Sequence, residues 1–193
     1  MIQIKNLCDN LVNIISERDN EKSRFLIAID GRCASGKTTL SKKLQNILSC
    51  NVIHMDHFFL QPEQRTPERL NTAGENVDHE RFLSEVLLPL KNGEKVSYSP
   101  FDCKTMSFGN RIYLDDKKIN IIEGSYSCHN ALFEYYDLRV FLDVSHEEQM
   151  KRIILRDGNE KAKIFASKWI PMEEMYFDTF DIANRSDFCF RTD

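Results

Sequence analysis

The residues Gly31, Arg32, Cys33, Ala34, Ser35, Gly36, Lys37 and Thr38, followed by Thr39, have the types and spacing of a loop that wraps around phosphate oxygens. Gly36 lets the backbone pass where a Cβ would collide with the anion. The loop N–H groups and the start of a following helix aim partial positive charge at the phosphates. Lys37 adds a full charge near the outer phosphates, and the Thr38 hydroxyl is placed to ligate Mg²⁺. Asp56, in Met55-Asp56-His57-Phe58-Phe59, reads in two ways. It is a turn or cap residue, or it is a carboxylate that faces the terminal phosphate, orients an acceptor hydroxyl and takes its proton. Glu123 is either a surface acid at a strand end or an anchor for Mg²⁺, directly or through water. His54 and His57 flank Asp56 and read as packing or hydrogen-bonding groups. Cys33 is an inert filler of its loop, or a thiol whose pKa is lowered by Lys37 and a helix N-terminus.

These groups need strands and helices to hold them. Phe25-Leu26-Ile27-Ala28-Ile29 is a short apolar run closed by Asp30, and Leu40, Leu44, Ile47 and Leu48 recur at helical spacing after the loop. The pattern predicts a strand, the phosphate loop and a helix in succession. An amphipathic helix carrying Ile4, Leu7, Cys8, Leu11, Ile14 and Ile15 is expected over 3–18, with Asn20-Glu21-Lys22-Ser23 as a polar connector. Further strands are expected at 50–54, 119–122, 138–142 and 188–190, placing Asp30, Asp56 and Glu123 at strand ends. Residues 60–76 are rich in breakers and read as a loop. Asp78 caps a helix with Phe82, Val86, Leu87 and Leu90, ended by Asn92-Gly93. Residues 96–116 form a hairpin or flap. Ser145-His146-Glu147-Glu148 is a capping box, and Pro171 is expected to start a new segment after a helix through Trp169. Trp169, Tyr176, Phe177 and Phe180 read as core or as a dimer face. Strands alternating with helices imply a parallel sheet covered on both sides, with ligands beyond its carboxyl edge.

The chain has 193 residues, enough for one core, with 41 % apolar and 29 % charged residues. A net charge of −4 and the lack of a dense basic stretch weigh against nucleic acid as a partner. No apolar run approaches membrane-spanning length and the first residues are no signal peptide, so a cytoplasmic protein is expected. Six scattered cysteines without a C-x-x-C pair argue against a zinc knuckle or a disulfide framework.

The set G-R-C-A-S-G-K-T-T, M-D-H-F-F, N-V-D-H-E-R-F, Y-S-P-F-D, I-I-E-G-S-Y and R-I-I-L-R-D, in this order, resembles the uridine kinase and phosphoribulokinase group of P-loop kinases across residues 25–157. The resemblance is strongest to the uridine kinase branch. It implies an α/β fold of the P-loop NTPase type: three α/β/α layers, a five-stranded mainly parallel sheet and a small lid. The whole chain, 1–193, would be one kinase domain, with an N-terminal helix in 1–20, a substrate flap at 96–116 and the lid at 152–163. The activity implied is transfer of the ATP γ-phosphate, with Mg²⁺, to a hydroxyl of a nucleoside, uridine or cytidine before others. Pantothenate or a sugar phosphate is the alternative acceptor, and a nucleotide-binding switch without catalysis is the alternative class. Carried onto this chain, Asp56 activates the hydroxyl while Lys37 and Arg156 serve the phosphates. Asp78 binds ribose hydroxyls or only caps its helix; Tyr98 lies near the base or in the core. Asp102 belongs to the base-recognition loop, Arg152 with Arg156 reaches the transferring phosphate from the lid, and Glu123 joins Thr38 near Mg²⁺. Two departures stand out. The family's R-D-x-x-x-R-G-R lid here reads Arg156-Asp157-Gly158-Asn159-Glu160-Lys161-Ala162-Lys163, and the base-loop histidine is replaced within Phe101-Asp102-Cys103-Lys104.

Overall fold

The computed structural model describes residues 4–18 and 22–193. The expected connector at 20–21, the first three residues and the side chain of Ile4 lie outside the described part. Five strands form one sheet: β1 (Phe25–Gly31), β2 (Cys50–His54), β3 (Ile119–Glu123), β4 (Leu138–Asp143) and β5 (Phe188–Arg191). Their spatial order is β2-β3-β1-β4-β5, and every neighbouring pair is parallel. β1 is central and buried along its whole length. That explains why it reads as an unbroken apolar run, because a strand covered on both faces has no polar side to alternate with.

The alternation of the strand splits the core in two. Phe25, Ile27 and Ile29 face the layer that includes Leu7, Leu11 and Ile15 from α1 (Ile4–Arg18) and Leu40 and Leu44 from α2 (Lys37–Ile47). Leu26 and Ala28 face the other layer, with Phe82, Val86 and Leu90 from the helical stretch 79–91 and Tyr176 and Phe177 from the stretch 159–180. The result is helix, sheet, helix.

Two expectations about helix ends need correction. Pro171 does not begin a new segment, because helix runs through Asn159–Ile164, a widened turn at Phe165–Trp169, and Ile170–Phe180. The same device occurs at Leu83–Leu87, ahead of Pro89. In each case the proline follows a π-type turn by two residues, and that turn's shifted pairing accommodates a residue with no N–H. The capping box at Ser145 is half made. The Ser145 hydroxyl accepts from the Glu148 N–H at 3.4 Å, but the Ser145 N–H donates to Asp193, and the Glu148 carboxylate accepts instead from Arg152 at 2.9 Å.

Residues 96–116 form an antiparallel ribbon in two short ladders, Ser97–Tyr98 with Ile112–Tyr113 and Phe101–Asp102 with Ser107–Phe108. The segment 60–76 carries short helical turns at Pro62–Gln64 and Pro67–Leu70 rather than a plain loop.

Candidate active site

The phosphate loop joins β1 to α2 over the carboxyl edge of the sheet. Gly31 has φ +134, and a Cβ there would lie 2.7 Å from the Leu142 backbone nitrogen and closer still to its carbonyl oxygen. Only glycine lets β1 leave the sheet so close to β4. Gly36 caps α2 in the left-handed region, and Ala34 is also left-handed, at φ 59. The loop therefore curls, and α2, eleven residues long, points its N-terminus into an open cleft of about 770 Å³.

Cys33, Ala34, Gly36, Lys37, Thr38 and Thr39 line that cleft. Lys37 crosses its own loop, its ammonium donating to the carbonyls of Gly31 at 2.6 Å and Arg32 at 2.8 Å. Gly31, Arg32 and Ser35 are not among the lining residues. The Arg32 side chain turns away, to Asp143 at 2.7 Å, to Glu174 and to the ring of Phe177. Ser35 is buried, and its carbonyl accepts from Thr192 at 2.8 Å, so the C-terminal residues tie down the loop.

The opposite wall comes from the ends of β2 and β3. Glu123 is buried, and its carboxylate accepts from the Thr38 hydroxyl at 3.2 Å and pairs with His54 Nδ1 at 2.5 Å. That bond raises the His54 pKa against the opposing effect of burial. The register explains the meeting, since His54 lies opposite Glu123, which lies opposite Ile29, two residues before the loop begins.

Asp56 lines the same cleft. Water reaches its side chain, yet the walls crowd it, and this desolvation holds its carboxyl above the usual range against the pull of Lys37. His57 turns to the Tyr98 hydroxyl at 3.2 Å, and burial lowers its pKa to about 4.

The remaining candidates divide. Arg152 and Arg156 both line the cleft. Arg152 is held by the Ala34 carbonyl at 3.2 Å, while Arg156 is exposed and pairs with Asp157 at 2.7 Å. Asp78, Tyr98 and Asp102 are not among the lining residues. Asp78 is buried and caps its helix, accepting from the Arg81 N–H at 3.0 Å and from the Gln64 amide at 2.9 Å. Tyr98 is core, packed on Phe58. Asp102 is exposed and accepts from the Lys104 N–H at 2.7 Å. Asp30 is wholly buried, accepting from the N–H groups of Gly31 and Cys128 and from the Tyr176 hydroxyl, and burial pushes its carboxyl up to about 6.

Cys33 is not activated. Burial and the neighbouring Glu173 push its thiol up to about 12, which outweighs Lys37. Trp169 is not core but a cleft wall. Glu173 was not foreseen at all: buried, it accepts from the Cys33 N–H at 2.9 Å and the Ser125 hydroxyl at 2.6 Å. Arg65, Asn76, Ser125 and Tyr126 are further cleft residues outside the predicted set. A helical phase from Trp169 to Glu173, i to i+4, is the signal that could have placed that acid beside the tryptophan.

A glycine-bounded loop at the carboxyl end of the central strand, in a five-stranded parallel sheet of this order, defines a P-loop kinase fold. The chain belongs to the phosphoribulokinase / uridine kinase family, whose model matches residues 26–167. It is 27 % identical over 175 residues to a uridine kinase of Ureaplasma parvum, covering 83 % of this chain and 84 % of the relative. It is 26 % identical over 173 residues to uridine-cytidine kinase B of Dictyostelium discoideum, covering 84 % and 70 %. A Bacillus stearothermophilus structure described as that of a possible uridine kinase superposes with a TM-score of 0.69 at 22 % identity, covering 97 % of this chain and 96 % of that one. At that identity the likeness bears on the fold. Members of the family are ATP-dependent phosphotransferases. Among the described residues no helix is long and apolar enough to cross a membrane.

Proposed function

We propose that this protein transfers the γ-phosphate of ATP to a hydroxyl of a small molecule held between the phosphate loop and Asp56. What supports the reading is one observation: Lys37, the Thr38–Glu123 pair and Asp56 share a single cleft at the carboxyl edge of the sheet. The loop N–H groups and Lys37 bind the triphosphate, and Arg152 and Arg156, in a lid at 152–163, neutralise charge on the transferring group. Thr38 and Glu123 fit a hard cation, since a hydroxyl and a carboxylate already meet there. Bound Mg²⁺ supplies charge neutralisation on the phosphates. Asp56 orients the acceptor hydroxyl and takes its proton, and the desolvation that raises its pKa makes it a stronger base than an ordinary carboxylate.

Uridine and cytidine are the acceptors that the names of the curated relatives point to. A second reading, another small alcohol, is favoured by a specific observation. Asp78 and Tyr98, which the resemblance assigns to ribose and base, are committed to a helix cap and the core. The protein acts as one kinase domain in a cytosolic setting.

ADP release from MgATP, measured with and without uridine, cytidine and other alcohols, tests the proposal. Acceptor-dependent release is the expected result. Tight ATP binding with no acceptor dependence would instead support a nucleotide switch.

A further inference from the structure

We propose that Glu173 is a positioning residue for phosphoryl transfer: it fixes the direction of the Ser125 hydroxyl, and through that hydroxyl the place of the Lys37 ammonium. The inference rests on the phosphotransferase reading above and adds to it a residue beyond 167, where the family match ends.

A carboxylate buried beside a phosphate loop needs a reason, because it repels the anion the loop is built to hold. Glu173 is only 6 % exposed, and it lines the cleft. A buried charge persists only where donors meet it, and Glu173 has one from each of two walls. Its Oε2 accepts from the Cys33 N–H of the phosphate loop at 2.9 Å, and its Oε1 accepts from the hydroxyl of Ser125, in the turn after β3, at 2.6 Å. The helix that carries it, Ile170–Phe180, is itself fixed. The Tyr176 hydroxyl donates to Asp30 at 2.8 Å, and Glu174 pairs with Arg32. One helix thus holds Asp30, Arg32 and Cys33, the approach to the loop and its first half.

The Ser125 hydroxyl has one proton and two acceptors in reach. Its Oγ lies 2.6 Å from Glu173 and 3.3 Å from the Gly31 carbonyl. The shorter, charge-assisted bond takes the proton. Oγ then turns a lone pair towards Lys37 Nζ, 3.4 Å away. Lys37 gives its other two protons to the Gly31 and Arg32 carbonyls at 2.6 and 2.8 Å. The third is the loosely held one, and it is the proton available to an outer phosphate. With no anion at position 173, the Ser125 proton turns to the Gly31 carbonyl. There it competes with Lys37, and the ammonium is no longer held in place.

Glutamine at this position makes the reversal without changing the packing. Its oxygen stays on the Cys33 N–H, and its amide offers Ser125 a donor where the carboxylate offered an acceptor. Every bond can still be made, with the hydroxyl pointing the other way.

Glu173→Gln, Ser125→Ala and the double variant test this. kcat is read by ADP release from MgATP with the acceptor that the wild type uses. Affinities for ADP and for a non-hydrolysable ATP analogue are read by titration calorimetry, and folding by thermal melts. In each single variant kcat is expected to fall by about ten- to hundredfold. The double variant loses no more than about threefold beyond either, because both changes act through one hydroxyl. Affinity for the analogue falls by about three- to tenfold, while that for ADP, which lacks the γ-phosphate, stays within about twofold. Ser125→Ala keeps the carboxylate, so its loss is independent of the charge that Glu173 exerts on Asp56. Three results overturn the proposal: kcat within about threefold of wild type in either single variant, losses that multiply in the double variant, or a lowered melting temperature with kcat unchanged. A wild type that releases no ADP with any acceptor, while the analogue loses affinity in the variants as described, keeps the positioning role and removes the kinase reading. Acceptor-dependent turnover that the variants leave untouched does the reverse.

Discussion

Replacing Asp56 by Asn separates proton transfer from binding. The side chain keeps its size, and Asp56 has no hydrogen bond to the phosphate loop that the change would break. Positioned general bases contribute about two to four orders of magnitude. At about 1.4 kcal/mol per tenfold, that is roughly 3–6 kcal/mol of lost transition-state stabilisation. kcat is therefore expected to fall by about 10²–10⁴, with the affinity for ATP within about threefold of wild type. The local electrostatics supply a control. Asp56 is one of the groups that raise the His54 pKa, behind the Glu123 hydrogen bond, so the His54 titration moves down in the variant, and NMR of the ring protons reads it. Folding stability is expected to hold or rise, because a carboxylate crowded by Glu123 and Glu173 loses its charge. In the wild type the acid limb of the rate profile lies above the ordinary carboxylate pKa of 3.8, because burial raises that of Asp56. A variant that turns over within about fivefold of wild type, with the His54 shift confirming the altered charge, would refute the assignment.

Lys37→Ala is expected to weaken both ATP binding and turnover, since the ammonium is the loop's charge that lines the cleft, Arg32 being turned away to Asp143; calorimetry with MgATP checks it. Gly31→Ala would force a Cβ against the Leu142 backbone at a positive φ, and the expected loss is at least about 3 kcal/mol by chemical denaturation. His129 is buried, and its pKa is lowered to about 4 from 6.5, chiefly by burial, so the native state resists a proton that the unfolded chain accepts. Stability then falls as pH drops from 6.5 towards 4, by up to about 3 kcal/mol from this group. His129→Gln should flatten that part of a melting-temperature profile against pH, and an unchanged slope would contradict the shift.

The phosphate loop was legible because its chemistry is local: nine consecutive residues set both the backbone path and the charge. The central strand was legible for a related reason, as burial on both faces leaves an unbroken apolar run. Asp78 and Tyr98 show where motif reading stops. Their spacing is that of the family, but their carboxylate and ring are committed to a helix cap and to Phe58, which only the packed structure reveals. Glu173 and Arg65 were hidden for the opposite reason. Glu173 sits far in sequence from the loop it faces, and Arg65 lies on an irregular turn that no periodic pattern marks. Pro171 misled because a missing N–H normally ends a helix, and the widened turn before it absorbs that loss, as a like turn does before Pro89.

The most direct test follows the phosphorus itself. ³¹P NMR of MgATP with the protein and the acceptor panel should show a new phosphomonoester resonance growing in step with ADP, and none with Asp56→Asn on the same timescale. Bound ATP that stays intact, or decays only to inorganic phosphate whatever the acceptor, would contradict the account.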